Sequence, residues 1–173
     1  MKQKTNSMRL LESRHIAYQV HEFSGEIRSA EDAAQVMGAP PDHVFKTLVV
    51  LRERGRPLLV LVPGNKALDL KLLAKAAGEK KLHMATHKEA EALTGLEVGG
   101  ISALALLNKG FDVYVDATIR SLPEVYVSAG TRGINLSLRP QDLLLVTRAK
   151  VAPVSGDQVE ETAATSWVVR AET

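Results

Sequence analysis

The chain contains no cysteine. That excludes disulfides, a thiol nucleophile supplied by the protein and every thiolate metal site, so any covalent sulfur chemistry has to arrive with a substrate. Aromatic residues are scarce, with three Phe, three Tyr and one Trp among 173 residues. Scattered so thinly, they do not make a stacking platform for a single strand. No run approaches the ~20 apolar residues a membrane-spanning helix needs. The N-terminal stretch Met1 to Arg14 is charged throughout and lacks the apolar core of a secretion signal, which points to a cytoplasmic protein. Excess charge is lacking too: a formal +2 is too small for a general nucleic-acid coat, so any nucleic-acid contact is local, and neither DNA nor a membrane is implied as a partner.

What is present is the composition of an ordinary globular domain, 45% hydrophobic and 24% charged, at a length that buries a real core. Residues 7–15 read as a short amphipathic helix capped by Ser7, followed by a strand at 17–21. Ser29 to Gly38 has a Ser cap, an Asp at the third helical position and a Gly stop, which predicts a helix. After Pro40-Pro41 the β-branched run Val44–Arg52 turns at Arg54-Gly55-Arg56 into Leu58–Val62, a hairpin. Helices follow from Asp69 to Gly78 and over 88–93, with Thr86 as a cap. Gly99-Gly100 opens a loop into a strand at 112–116. Strands at 124–128 and 134–138 flank the turn Ala129 to Gly133, and Pro140 starts a last helix.

Strand connectors are often too short for parallel crossovers. The expectation is one α+β domain, residues 1–155, on a mixed, mostly antiparallel curved sheet flanked by helices. Residues 156–173 change composition to small, acidic and polar and read as a tail, either disordered or docking through Trp167.

Four features could carry chemistry. Period-two alternation places Lys46 on one strand face with Val44, Leu48 and Val50. A lysine there snorkels out, pairs with a buried anion, shifts its pKa, or meets an anionic ligand, and the pattern alone favours snorkelling or a structural ion pair. Gly99-Gly100-Ile101-Ser102-Ala103 could aim backbone N–H groups at an oxyanion, although a plain turn explains it more simply. It matches neither the Walker pattern nor the dinucleotide fingerprint. Ser128 closes a strand beside Gly130 and Arg132 with no Gly-x-Ser-x-Gly context and no His–Asp partners, so hairpin structure accounts for it. His83 and His87 would share a face for a metal only on one continuous helix, which Thr86 as a cap contradicts. No metal and no cofactor are implied.

In their order and spacing over residues 8–153 these features resemble the YbaK and prolyl-tRNA-synthetase-insertion family of editing proteins. The matching stretches are Pro41 to Val49 around Lys46-Thr47, Leu68 to Lys71, Val98 to Ser102, and Leu122 to Gly133. The resemblance implies the family's α+β editing-domain fold. It also implies a trans-acting deacylase that removes a wrong amino acid from the 3′ end of a tRNA, most naturally Cys-tRNA(Pro) or an Ala-, Ser- or Thr-tRNA, with prolyl-tRNA synthetase as a partner. Lys46 would then sit by the terminal phosphate and ribose, and the amides of Gly99, Gly100, Ile101, Ser102 and Ala103 would hold the ester carbonyl. Phe23, Thr47, Ser128, Gly130 and Asn135 would contact substrate.

Three positions depart from the family pattern: Ala103 stands where its loop has Pro, Asn135 where YbaK-like members have Asp, and Phe23 where they have Tyr. The alternatives are a catalytically silent tRNA- or synthetase-binding module of the same fold and a small-molecule esterase.

Overall fold

A computed structural model describes residues 4–24 and 27–157. The first helix, α1 (Asn6–Ser13), is capped by Thr5, whose Oγ1 accepts the Met8 amide. Ser7, expected as the cap, is instead fully buried and donates from Oγ to the Ala129 carbonyl at 2.9 Å. The following strand β1 (Gln19–Glu22) lies slightly beyond the expected 17–21. The second helix, α2 (Ala30–Met37), has the expected ends: Ser29 Oγ accepts the Asp32 amide at 3.0 Å and Gly38 closes it at φ 70°.

The predicted hairpin is β2 (Phe45–Arg52) with β3 (Leu58–Pro63), antiparallel with Lys46 opposite Val62. Next come β4 (Lys66–Leu68), α3 (Leu70–Ala77), β5 (Leu82–Met84) and α4 (His87–Thr94). β6 (Asp112–Asp116), β7 (Val125–Ser128), β8 (Ile134–Leu138) and α5 (Pro140–Thr147) fall where expected. Two short strands, β9 (Lys150–Ala152) and β10 (Ser155–Asp157), end the described chain. β10 pairs with β4, so Gly156 and Asp157, read as the start of a tail, form ladder partners; residues 158–173, with Trp167, lie outside the described residues.

The pairing is mixed and mostly antiparallel, in three sheets rather than one. Five strands order β5-β2-β3-β6-β9, with β3, β6 and β9 parallel across long connections. Three more order β1-β8-β7, all antiparallel. A single parallel bridge, Val44 to Tyr126, joins the two sheets where β2 begins.

β2 is buried on both faces. Phe45 and Val49 enter one core with Leu11, Leu136 and Leu143, while Leu48 and Val50 enter a second with Leu68 of β4 and Leu73 of α3. Lys46 therefore leaves from a strand with little solvent on either side. Its two neighbours in the alternation, Val44 and Leu48, are 1% and 4% exposed.

Candidate functional site

The start of β2 is held by a short 3-10 turn at Pro41–His43 and by the Gly64 amide, which donates to the Val44 carbonyl at 2.7 Å. Lys46 follows two residues later and is only 3% exposed, so it does not snorkel to bulk water. Its side chain lines a cleft of about 510 Å³, counted to its open mouth. Thr47 of β2, Gly99 and Ile101 of the loop, Ser128 at the end of β7 and Asn135 of β8 share that lining. Phe23 joins them from the segment after β1. Seven residues singled out from sequence thus converge, although more than a hundred positions separate the first from the last.

The loop and the turn are pressed together. A Cβ on Gly100 would lie 2.8 Å from the Arg132 amide nitrogen and 3.0 Å from the Thr131 carbonyl carbon, far inside contact distance, so only glycine lets the two backbones meet. Gly130, at φ 104°, brings the same turn against Ala105.

Four other expected site residues stand behind the lining. The Gly100 amide is spent on the Glu97 carbonyl at 2.8 Å. Ser102 is fully buried, and its Oγ accepts the Ala105 amide at 3.2 Å, which shapes the loop. Ala103 packs in the main core at 3% exposure. Gly130 donates its amide to Ser128 Oγ at 3.1 Å. Ile101, Ser102 and Ala103 are all buried, yet their amides meet no acceptor among the described residues. Three consecutive amides of this kind are rare in folded proteins.

Sequence reading passed over part of the wall. Arg132 and Gly133 reach the cleft from the turn, Val44 and Phe45 from the start of β2, and Ile27, Ala30 and Ala33 from α2 and its approach. The alanines carry a weak signal: three apart on a helix, they face one side, and small side chains on a buried face leave room. Arg132 adds a second cation, and among the described residues the lining holds no carboxylate. The site is therefore suited to an anionic or carbonyl-bearing ligand.

The other candidates have structural employment. Ser128 accepts the Gly130 amide and has no histidine among its partners, so no serine triad is assembled. His21 Nε2 is 2.8 Å from Ser137 Oγ, and its ring lies 5.0 Å from that of Tyr126. Burial, reinforced by the hydrogen bond to Glu124, pushes the Tyr126 hydroxyl above its ordinary range. His83 lies in β5 and His87 opens α4 after the Thr86–Glu89 capping box, so their spacing does not run along one helix.

Comparison with known proteins places this geometry. Residues 24–145 match the family model described as the aminoacyl-tRNA editing domain. A protein of Enterococcus faecalis, carrying the provisional name Cys-tRNA(Pro)/Cys-tRNA(Cys) deacylase EbsC, is 38% identical over 155 residues, covering 88% of this chain and 94% of its own. A crystal structure of a hypothetical protein, APE2540, superposes with a TM-score of 0.80 at 28% identity, over 87% of this chain and 99% of that one. Another, titled provisionally as a trans-editing enzyme for prolyl-tRNA synthetase, has a TM-score of 0.76 at 31% identity, over 90% and 99%.

Proposed function

The chain belongs to the aminoacyl-tRNA editing-domain family, and from that premise we propose that it is a trans-editing deacylase that clears Cys-tRNA(Pro) or a similarly small misacylated tRNA in the cytoplasm. One observation carries the reading at the level of this chain's residues: a cleft with two cations and, among the described residues, no carboxylate, lined by Gly99 and Ile101 of a loop whose amides at residues 101–103 lack acceptors among the described residues. An aminoacyl ester on a terminal ribose presents a phosphate and a carbonyl oxygen, one for each of those features.

Lys46 and Arg132 hold the nucleotide end by charge, and the loop amides take the ester oxygen as it becomes negative. The attacking oxygen or sulfur bonds to the carbonyl carbon, the bond to the ribose oxygen breaks, and that oxygen takes a proton. No protein nucleophile is used. The attacking group is water, with the neighbouring ribose hydroxyl to orient it, or the thiol of a cysteinyl substrate, which suits a chain without cysteine, and the proton it loses goes to the departing ribose oxygen. The wall of Ala30 and Ala33 leaves the acyl group space without offering it a polar partner. Prolyl-tRNA synthetase is the partner that would hand over the mischarged tRNA, in keeping with the provisional title of the 31% identical structure.

The test is a panel of Cys-, Ala-, Ser- and Thr-charged tRNA(Pro) incubated with the protein and with Lys46→Ala. Wild type is expected to deacylate at least one member, and the folded Lys46→Ala protein to lose about a hundredfold or more. Uniform inactivity of wild type with retained tRNA binding would replace the enzyme by a binding module. Full activity of Lys46→Ala would remove Lys46 from the site.

A further inference from the structure

A second, shallow depression of about 330 Å³, counted to its open mouth, lies next to the cleft between β2, β5 and the start of α4. Thr47, Gly99 and Ile101 belong to both, so the two spaces share a wall. The remaining lining is almost wholly apolar, with Met84 and Val98 at its sides and the exposed imidazole of His87 at its edge. Nothing in it offers a second charged group, so it is not a phosphate seat. An apolar slot with one planar ring at its lip fits a flat heteroaromatic group.

The surroundings have the matching charge. Lys80, Lys81, His83 and Lys88 are all exposed along the β5–α4 edge. Of the neighbouring carboxylates, Glu89 is held in the capping box by the Thr86 amide at 2.9 Å. Glu91 accepts the Val98 amide at 2.9 Å and so fixes one side of the slot, while Glu97 stands exposed. A strand of phosphates leaving the slot along this edge would meet mainly cations.

Resting on the deacylase reading, we infer that this slot seats the terminal adenine of the tRNA, stacked on His87. The ribose lies over the shared wall of Thr47, Gly99 and Ile101, with its own phosphate and the acyl ester on the cleft side by Lys46 and Arg132, while the phosphates of the preceding nucleotides follow the β5–α4 edge. The arrangement makes His87 a substrate-binding residue for the base and leaves the amides of residues 101–103 to the ester.

Adenosine 5′-monophosphate titrated into the full chain, with binding followed by calorimetry and by the histidine ring resonances, tests this without any turnover. His87→Ala is expected to weaken binding about tenfold, and His87→Phe, which keeps a stacking face without the imidazole, to restore it. Absence of binding to wild type, or equal binding by wild type and His87→Ala, overturns the assignment. Deacylation of charged tRNA is measured in parallel. If the nucleotide binds through His87 but no charged tRNA is cleaved, the slot stands and the deacylase reading falls. If tRNA is cleaved while nucleotide binding ignores His87, the slot falls and the deacylase reading stands.

Discussion

Replacing Gly100 by alanine puts a methyl group 2.8 Å from the Arg132 amide nitrogen and 3.0 Å from the Thr131 carbonyl carbon. Both are backbone atoms of a turn already tied down, since the Ser7 hydroxyl donates to the Ala129 carbonyl and the Ile134 amide to the Thr131 carbonyl. No side chain can swing aside, so relief requires the loop and the turn to part by roughly half an ångström. Overpacking of this kind costs about 1–3 kcal/mol. At roughly 2–4 °C per kcal/mol for a domain of this size, the midpoint of thermal unfolding should fall by about 4–8 °C for a mid-range cost.

The functional effect should exceed the thermal one, because the displaced segment carries Ile101, Ser102 and Ala103, and a misplacement of ~1 Å can cost about a hundredfold in rate. Circular dichroism gives the midpoint, and deacylation of charged tRNA well below it gives the rate per folded molecule. Gly156→Ala is the control, because a Cβ there meets nothing within 4 Å, and it should change neither. A Gly100→Ala protein with unchanged midpoint and rate refutes the claim that close backbone approach builds the site. A lowered midpoint with an unchanged rate leaves Gly100 a packing residue only.

Ser7→Ala removes the donor to a buried carbonyl of the same turn and should cost about 1–3 kcal/mol, read from denaturant unfolding; no change would mean the carbonyl finds water. Ala103→Pro sacrifices no hydrogen bond, since that amide has no acceptor among the described residues. It removes one of the three amides assigned to the ester oxygen, so deacylation should fall while the protein stays folded, and unchanged deacylation would strike Ala103 from that set.

Alkali should destabilise the fold in a defined window. Burial, then the hydrogen bond to Glu12, pushes the Tyr18 hydroxyl up to about 12 from 10, and Tyr126 moves the same way. The folded state thus keeps protons the unfolded chain releases, and this stabilisation, complete below pH 10, is lost as pH rises toward 12. Melting midpoints measured from pH 9 to 11.5 should decline, and less steeply in Tyr18→Phe.

Much of the fold was readable along the chain because its signals are local. Ser29 with Asp32 and Gly38 ends its helix as expected, and Thr86 caps the next, since capping is settled within one turn of backbone. The hairpin of β2 and β3 was legible for the same reason. Three-residue strands such as β4, β9 and β10 were not, because so short a segment has no period and becomes a strand only when a distant partner offers its edge. Thr5, not Ser7, caps α1 because the buried Ala129 carbonyl, 122 residues away, claims the Ser7 hydroxyl.

For the site, the family order of Lys46-Thr47, Gly99 to Ala103 and the 122–133 turn was fully present in sequence. Alternation alone favoured a snorkelling or paired lysine at position 46, and nothing local contradicted it. Tertiary structure removed the snorkelling alternative by burying both faces of β2 and folding the loop and turn around its start. It also sorted the loop itself, turning Ser102 and Ala103 into the interior while leaving Gly99 and Ile101 on the cleft, and it put Arg132, named before only as part of the turn, in the lining with Ala30 and Ala33. Sequence determines which residues can adopt a local conformation, through backbone sterics and caps. Which donors stay unpaired, and which walls meet across a cleft, depends on contacts between segments far apart in the chain, and only the assembled fold supplies those.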